Sequence, residues 1–479
     1  MKKESSTKSV LWSLLGRYFP SMIQIISTII IARLITPEEF AEVAIISVFI
    51  HIASLLTTAG FAEALIFRVN NTNSLYSSVF YFNLLISLIL YVALFLFSDQ
   101  IAFFYEISRL EILSKVVGIN ILLFPLTYIH RVLYMLDNNF KTPAFIAFIS
   151  SLFGSITGVA LALYNFGVWA LVWQTLLINL ITLILYWKLS RWKPDFVFSF
   201  KELKTIMPYS LKIFYNNMVQ VLYDNIYTLV IGKVYSAKIL GYYNRMQTIV
   251  YFTTTNFLFA IESVFFPLLC KKKDDIVHIK NSYELLFRVI TFVAFPILVI
   301  LISLGEPIII LLLTEKWIGS LQILQLLSIS FLFLPVAYLN NSFLKIIDKA
   351  SVLFYSGLIK KIIGIIILFI TINFSIEYVL YGVILYSIID AVISMCITNY
   401  LLKINIIKQV YFLLNNIILN ILLFLILTYV SSFFDNIFLK ITLSIAIGIF
   451  IYFLITFLLR LKEYQILKSL FKKTKLTSL

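Results

Sequence analysis

Long apolar segments, separated by short polar connections, run along almost the whole chain. A helix needs about 20 consecutive apolar residues to cross a bilayer, and each segment reaches that length. The segments do not alternate between apolar and polar residues, as the strands of a membrane barrel would. The pattern therefore predicts an all-α integral membrane protein of about 14 transmembrane helices, at 12–33, 42–66, 76–98, 112–136, 144–164, 167–188, 206–232, 240–268, 286–304, 319–344, 351–373, 378–402, 411–431 and 437–459.

The composition supports a membrane protein and argues against a soluble one. Hydrophobic residues make up 61% of the chain and charged residues only 13%, whereas a soluble domain carries about 25% charged residues. In a soluble protein, a net charge of +15 would suggest nucleic-acid binding. Here the basic residues cluster in the short connections between apolar segments, so we expect contact with anionic lipid and no nucleic-acid partner.

The distribution of basic residues predicts how the helices are oriented. With the N-terminus in the cytoplasm, 26 Lys and Arg residues fall in cytoplasmic connections and tails, and only 7 fall on the outer side. Lysine and arginine prefer the cytoplasmic side of a membrane protein. We therefore expect a multi-pass protein of the bacterial inner (plasma) membrane, with both termini in the cytoplasm.

The two halves of the chain resemble each other at a nearly constant offset. The matching stretches are 31–36 with 231–236, 61–63 with 260–262, 125–128 with 335–338, and 165–167 with 373–375. A repeat of six helices keeps both copies in the same orientation, so a pseudo-twofold axis along the membrane normal should relate them. This predicts an N-terminal lobe at 1–190 and a C-terminal lobe at 191–403, with the binding site in the cleft between them. Residues 404–479 add two helices and a basic cytoplasmic tail.

Several stretches are similar to one known family of transporters. They are Ala32–Phe40 (ARLITPEEF), Gly60–Ile66 (GFAEALI) and Leu240–Arg245 (LGYYNR), together with Phe266–Pro267, Glu315–Trp317 and Lys360–Gly364. Over residues 8–400 the chain resembles the polysaccharide flippases of the multidrug/oligosaccharidyl-lipid/polysaccharide superfamily, of the Wzx type and its WzxC-like branch. Ala41 departs from that family, which usually has glycine after this turn. The departure weakens the turn motif but leaves the expected fold unchanged.

The resemblance implies a transporter and not an enzyme. Such a flippase moves undecaprenyl-diphosphate-linked glycan repeat units from the cytoplasmic to the periplasmic leaflet, for O-antigen (lipopolysaccharide), capsule or exopolysaccharide biosynthesis. The expected partners are this lipid-linked oligosaccharide, membrane lipid and other polysaccharide-assembly proteins, and the expected state is a monomer. No cofactor is expected, and a proton or sodium gradient is the candidate energy source.

Two other functions remain open at this stage. A cation-coupled multidrug exporter of the same superfamily should have an acidic or aromatic binding site, whereas basic residues slightly outnumber acidic ones inside the predicted spans. A membrane glycan polymerase typically needs a sizeable outer loop or domain to hold its acceptor and catalytic residues. The outer connections predicted here are short, which disfavours the polymerase.

Cations inside the predicted spans are candidates for substrate binding, because charged groups are costly in hydrocarbon and usually face the protein interior or water. They are Arg17, Lys212, Arg245, Lys360 and Lys361. Arginine and lysine donate charge-assisted hydrogen bonds to phosphate, so we predict that all but Lys361 bind the diphosphate. Tyr242 is predicted to stack on a sugar ring. The alternative is that each cation extends its charged end to the nearer membrane interface.

Acidic residues inside the spans are candidates for gating or for coupling to an ion gradient. They are Glu63, Asp224, Glu262 and Asp390, together with His51 in the middle of its helix. The alternative is an ion pair with a basic neighbour, such as Arg68 for Glu63. The two cysteines and three histidines are too dispersed for a metal site, and no P-loop is present. Neither catalytic residues nor a metal are therefore expected.

Overall fold

The computed structural model describes residues 6–68 and 71–461, with side chains from residue 12 onwards except at residue 350. Within this part of the chain all regular structure is helical, and thirteen segments are long and apolar enough to cross a membrane. The all-α membrane fold expected from the hydropathy pattern is confirmed. Lys2, Lys3 and the basic tail from residue 462 onwards lie outside the described residues.

The chain divides into two compact units, of which the first ends at Gly241. In this unit α8 packs against α1 and α9, while α2 packs against α10, α4 and α7. The unit includes one long helix, α10, beyond residue 190, where the repeat placed the end of the N-terminal lobe; that boundary stays a prediction. The helices are α1 (Ser6–Leu34), α2 (Pro37–Thr58), α3 (Phe61–Phe67), α4 (Asn73–Leu96), α5 (Ser98–Tyr105), α6 (Leu110–Val117), α7 (Ile119–Leu136), α8 (Lys141–Leu163), α9 (Trp169–Leu189) and α10 (Phe200–Val234).

The second unit begins at Tyr242, inside α11 (Ala237–Cys270). It continues with α12 (Ile276–Ser303), α13 (Gly305–Leu313), a short 3-10 helix (Glu315–Ser320), α14 (Leu321–Phe331), α15 (Leu334–Ile346), α16 (Ala350–Thr371), α17 (Ile376–Leu402), α18 (Ile406–Ser431) and α19 (Ile437–Leu458). Helix α12 packs against α14, α15 and α18, and α17 packs against α14, α15 and α16. The two helices outside the predicted repeat, α18 and α19, pack against each other.

Buried polar contacts fasten α12 to its neighbours in the second unit. The Tyr283 hydroxyl lies 2.9 Å from Asn340 Oδ1 on α15 and 2.7 Å from Gln409 Oε1 on α18. Two turns further along α12, Asn416 Nδ2 of α18 donates to the Thr291 hydroxyl at 2.8 Å. Lipid gives apolar helices no hydrophobic reason to associate, so interhelical hydrogen bonds of this kind contribute directly to packing. They attach α18 to the rest of its unit.

The span predicted at 42–66 is interrupted, and the interruption has a local cause. Ala59 and Gly60 have left-handed backbone φ angles of 43° and 72°, which end α2 and start α3 in a new direction. A Cβ on Gly60 would lie 2.7 Å from the carbonyl oxygen of Ser210, so glycine also lets α10 approach this break. The hydroxyl of Tyr128 on α7 accepts a hydrogen bond from the Ala62 N–H at 2.5 Å. A backbone group exposed by the break is thereby satisfied.

The seventh predicted span, 206–232, exists as a helix but is not among the thirteen apolar segments. It forms the middle of α10, a helix of 35 residues. This stretch is more polar than the others because it carries Lys212, Asn216, Asn217, Gln220, Asp224 and Asn225. Its position among the helices was predicted correctly, and its polarity is a property of the candidate site described below.

The start of α2 explains the Thr-Pro-Glu stretch of the sequence. Thr36 and Glu39 form a capping box, in which the Thr36 side chain accepts from the Glu39 N–H and the Glu39 carboxylate accepts from the Thr36 N–H. The other Glu39 oxygen accepts from the Val168 N–H at 3.1 Å, at the turn before α9. Arg109 lies 3.6 Å from Glu39 and 3.5 Å from Glu42. The motif therefore connects the start of α2 to the turn before α9 and to Arg109, which precedes α6.

The connection between α9 and α10 is held against the first turns of α4. The Trp192 indole N–H donates to Asn73 Oδ1 at 2.5 Å, and Asn73 Nδ2 donates to the Asp195 carboxylate. The Ser199 N–H donates to the Ser78 hydroxyl at 2.8 Å. These contacts explain why α10 belongs to the first unit, although the sequence repeat begins a new copy at this connection.

We predict that Gly241→Ala destabilises the protein by about 1–3 kcal/mol, the range for an overpacked site. A Cβ at Gly241 would overlap the carbonyl oxygen of Pro37, which is backbone and cannot move aside easily. Gly357→Ala is the matched control, because no atom lies within 4 Å of the Cβ that it adds. Thermal unfolding in detergent measures the stability of both variants. Equal melting temperatures for Gly241→Ala and Gly357→Ala would contradict the prediction.

Candidate functional site

Helix α1 has a row of polar side chains along one side. Arg17, Ser21, Gln24 and Thr28 follow each other at intervals of four, three and four residues, which keeps them on one face of the helix. Arg17 and Gln24 are exposed, and Ser21 and Thr28 are partly exposed. We call this row the α1 polar face. Because an exposed charge on a transmembrane helix is costly in lipid, the face is expected to line water or polar ligand.

Helices α2 and α10 of the same unit have similar rows. The α2 polar face consists of Ser47, His51, Ser54 and Thr58, at the same four-three-four spacing and with His51 exposed. The α10 polar face consists of Lys212, Asn216, Gln220 and Asp224, all exposed and spaced four residues apart. Gln220 Nε2 donates to Asp224 Oδ1 at 2.8 Å. With Arg17 on the α1 polar face, four of the sequence-predicted residues therefore lie on these faces, the others being Lys212, Asp224 and His51.

In the second unit, α11 repeats the pattern. Asn244, Thr248, Tyr251 and Thr255 form the α11 polar face, again at four-three-four spacing and exposed or partly exposed. The ionisable residues alone did not reveal these faces, since most of their members are hydroxyl and amide residues. The signal that could have found them is a polar residue every three or four positions within an apolar helix.

The chemistry of these faces suits a ligand with many hydroxyl groups. The Ser21 hydroxyl donates to the Arg17 carbonyl at 2.8 Å, and the Thr248 hydroxyl donates to the Asn244 carbonyl at 2.8 Å. Such internal bonds satisfy the hydroxyl proton within the helix and leave the oxygen able to accept from a ligand hydroxyl. The exposed cations Arg17 and Lys212 add charge-assisted donors for an anion.

Two predicted residues, Lys360 and Asp390, form an ion pair in the second unit. Lys360 Nζ lies 2.6 Å from Asp390 Oδ1 and donates to the Ser394 hydroxyl at 3.0 Å. The lysine side chain is only 5% exposed, and the pair joins the middle of α16 to the middle of α17. In this conformation the charge of Lys360 is directed at Asp390 and not at an open surface.

The predicted residues Tyr242 and Arg245 are buried near the start of α11. The Tyr242 hydroxyl donates to the Lys316 carbonyl at 3.0 Å, and its ring packs against that of Trp317, with 5.9 Å between the centroids. Arg245 is 4% exposed. Trp317, which ends one of the motif stretches, is completely buried, because the short 3-10 helix folds it against α11. Roles for Tyr242 and Arg245 in binding a substrate stay predictions.

The two glutamates that recur in the repeat have different surroundings. Glu262 on α11 contacts three residues of α15. Its carboxylate accepts a hydrogen bond from the Tyr338 hydroxyl, and another from the Ser342 hydroxyl at 2.8 Å. Lys345 Nζ lies 3.6 Å from the same carboxylate. Glu63 is exposed at the start of α3. Arg68, which the sequence offered as a partner for Glu63, donates to the Thr205 hydroxyl at 2.6 Å.

The sequence matches the profile of a family described as "Polysaccharide biosynthesis protein" over residues 30–322. It is 26% identical to the succinoglycan biosynthesis transport protein ExoT of Rhizobium meliloti, over 82% of this chain and 77% of that protein. It is also 26% identical to the teichuronic acid biosynthesis protein TuaB of Bacillus subtilis, over 73% of this chain and 74% of that protein. Its identity to the lipopolysaccharide biosynthesis protein WzxC of Escherichia coli is 22%, over 68% of this chain and 67% of that protein.

Solved structures with a similar fold are transporters. The lipid II flippase MurJ in an inward closed conformation superposes with a TM-score of 0.76 at 18% identity, covering 94% of this chain and 99% of that one. An inward-facing multidrug resistance MATE family transporter of the MOP superfamily has a TM-score of 0.61 at 15% identity, covering 82% and 98%. These similarities show the fold, and the fold is the one that the motif stretches led us to expect.

We predict that Lys360→Met destabilises the protein by about 3–5 kcal/mol, because it leaves the Asp390 carboxylate in the membrane without its counterion. The double variant Lys360→Met, Asp390→Asn removes both charges and should recover most of this loss. Thermal unfolding in detergent compares the two variants with the unmodified protein. If the double variant is no more stable than the single one, the pair does not act as a unit.

Proposed function

We propose that this chain, which belongs to the polysaccharide biosynthesis protein family, transports a lipid-linked glycan from the cytoplasmic to the periplasmic leaflet of a bacterial inner membrane. The substrate class is an undecaprenyl-diphosphate-linked repeat unit for a surface or secreted polysaccharide. The protein acts as a transporter and catalyses no covalent step. The relatives support this class, since one is a transport protein for succinoglycan biosynthesis and another is a lipopolysaccharide biosynthesis protein.

The observation that carries the proposal is the set of polar faces on α1, α2, α10 and α11. A glycan diphosphate is too polar to cross hydrocarbon unaided, because every hydroxyl that loses water must find another hydrogen-bond partner. The four faces provide hydroxyls, amides and the two exposed cations Arg17 and Lys212 along helices of membrane-spanning length. They give the headgroup partners along its route, while the polyprenyl chain stays in lipid.

The charges on these faces favour an anionic substrate over a cationic drug. Arg17 and Lys212 are exposed cations on the faces, and Asp224 is the one carboxylate among the sixteen face residues. A multidrug exporter of cations should have the opposite balance. The fold shared with a MATE transporter therefore does not by itself argue for drug export.

The membrane orientation follows from the basic residues. If both termini are in the cytoplasm, the excess of Lys and Arg lies in the cytoplasmic connections. This is the side of the membrane on which basic residues are usually enriched. In the second unit, Lys273 in the α11–α12 connection pairs with Asp348 in the α15–α16 connection, which puts these two connections at the same end of the unit. This ion pair raises the pKa of Lys273 above its ordinary value. Both connections are assigned to the cytoplasm.

We further propose that a proton gradient drives the transport through the Lys360–Asp390 pair. The Lys360 ammonium lies 2.6 Å from Asp390 and occupies the position that a sodium ion would need beside this carboxylate. A proton that neutralises Asp390 would remove the charge that holds Lys360 and so loosen the contact between α16 and α17. Glu262, another of the candidate acids, lies further from its basic neighbour, with 3.6 Å between its carboxylate and Lys345 Nζ.

We expect Arg17→Ala and Lys212→Ala each to lower glycan export about tenfold, which is the cost of losing one charge-assisted hydrogen bond. The measurement is surface or secreted polysaccharide in a host whose own copy of the gene is deleted, at matched amounts of membrane-inserted protein. Lys204→Ala is the control, because Lys204 is an exposed basic residue of α10 that lies about 80° around the helix from Lys212, away from the polar face. Normal glycan export by both Arg17→Ala and Lys212→Ala would refute the role assigned to the polar faces.

We expect the double variant Lys360→Met, Asp390→Asn to move substrate down its concentration gradient without responding to an imposed proton gradient. The double variant is preferred to either single one because it leaves no unpaired charge in the membrane. Flipping is followed in proteoliposomes with a pH step, and replacement of sodium by potassium should change nothing. A pH response equal to that of the unmodified protein would show that coupling occurs elsewhere.

A further inference from the structure

A groove of about 670 Å³ lies on the first unit, at the end where α1 and α8 begin and α9 ends. Its volume falls in the range of about 300–1,000 Å³ that is typical of sites for small ligands. Residues from all three helices line it, among them Trp12 and Phe19 of α1, Lys141 and Phe148 of α8, and Leu189 of α9. The close contact of Gly16 with Ala144, where an added Cβ would lie 2.6 Å from the alanine Cβ, joins α1 to α8 beside this groove.

The lining changes from polar to apolar along the groove. Lys141 and Thr142 lie at the helix start, and the Lys141 ammonium is 5.6 Å from the centre of the Trp12 ring. Phe19 is seven positions after Trp12, and Phe148 is seven positions after Lys141. Each interval corresponds to about 10 Å along the helix. Phe19 is 49% exposed and Phe148 is 37% exposed, so the deeper part offers aromatic surface to an occupant. A basic end at the interface and an apolar channel into the hydrocarbon match the shape of one phospholipid.

The groove is separate from the α1 polar face. Successive residues of a helix are about 100° apart, so Trp12, Leu15 and Phe19 are centred about 180° from Arg17, Ser21 and Gln24. The ligand of the groove is therefore not the headgroup that the polar faces are proposed to bind. The inference goes beyond the proposed function and does not depend on which glycan is moved.

We propose that this groove binds one anionic glycerophospholipid of the inner leaflet. Its phosphate pairs with the Lys141 ammonium, and one acyl chain lies along Phe19, Phe145 and Phe148. Charge complementarity selects this occupant, because the cytoplasmic leaflet is anionic and Lys141 lies at its level in the proposed orientation. Trp12 at the rim fits the same placement, since tryptophan prefers the membrane interface.

The bound lipid would act as part of the packing of α1. Helix α1 packs mainly against α8 and only slightly against α9. On the side opposite its polar face, lipid can therefore contribute to its packing. A lipid held between α1, α8 and α9 would fix the first turns of α1 and thereby the position of Arg17. The site thus makes the position of the α1 polar face sensitive to the anionic lipid content of the membrane.

Native mass spectrometry of the full chain, purified in detergent and supplied with phosphatidylglycerol or phosphatidylcholine, tests the proposal. We expect the unmodified protein to retain one phosphatidylglycerol molecule in preference to phosphatidylcholine. Lys141→Ala should bind phosphatidylglycerol about fivefold more weakly, which corresponds to the roughly 1 kcal/mol of one lysine at an anionic surface. Lys201→Ala, which removes an exposed lysine away from the groove, should bind like the unmodified protein.

A second variant tests the apolar part. Leu15→Trp places a large ring in the groove and should abolish retention of phosphatidylglycerol. Thermal unfolding without added lipid checks that each variant is folded. Added phosphatidylglycerol should raise the melting temperature of the unmodified protein and of Lys201→Ala, and should leave that of Leu15→Trp unchanged.

Three results would overturn the lipid site. They are equal retention of phosphatidylglycerol by Lys141→Ala and the unmodified protein, equal retention of the two phospholipids by the unmodified protein, and displacement of phosphatidylglycerol by undecaprenyl diphosphate. The last would make the groove part of the substrate route. Failure of the glycan-transport proposal would change none of these readouts, because they measure retention of phospholipid by the purified protein and not transport of a glycan.

Discussion

The structure depends on one constraint, which is that a polar group inside hydrocarbon must have a partner or face water. Backbone groups satisfy it by forming helices, and the break at Ala59 and Gly60 is tolerated because the Tyr128 hydroxyl meets an exposed N–H. Side chains satisfy it in two ways. Lys360 is buried beside the partly buried Asp390 and the two charges neutralise each other, whereas the polar faces of α1, α2, α10 and α11 are exposed or partly exposed. The second arrangement is stable only beside water or a polar ligand, and this is the physical reason to assign those faces to transport.

The same constraint shows how a repeated sequence acquires different roles. Tyr128 and Tyr338 occupy matching positions of the repeat, yet the first binds the backbone at a helix break and the second binds the Glu262 carboxylate. Helix α11 has no break at the corresponding place, so Tyr338 has no exposed N–H to satisfy. The first unit keeps its glutamate, Glu63, exposed, and the second holds its glutamate against α15. Matching positions of the predicted repeat thus differ in what each polar residue stabilises.

Polar contacts at the helix ends determine which segments belong together. Glu39 completes a helix cap and also accepts a hydrogen bond from Val168, and the Trp192–Asn73–Asp195 contacts hold the α9–α10 connection to α4. These bonds lie where the chain leaves the hydrocarbon, at positions that hydropathy treats as mere boundaries. They keep α10, with its polar face, in the first unit. Lipid would add to this framework at the groove beside α1, where protein packing is incomplete.

The sequence alone determined the helical membrane fold, the approximate helix positions and the transporter family, because hydrophobic length, charge distribution and short motifs are local properties. It also singled out the ionisable residues. Only the tertiary structure decided which of them are paired and which are exposed, since pairing depends on side chains far apart in the chain, as with Lys360 and Asp390. The hydroxyl and amide members of the polar faces were missed because each is unremarkable by itself. Their common orientation follows from their spacing along each helix. The burial of Tyr242, Arg245 and Trp317, in contrast, arises from packing between segments that are far apart in the sequence.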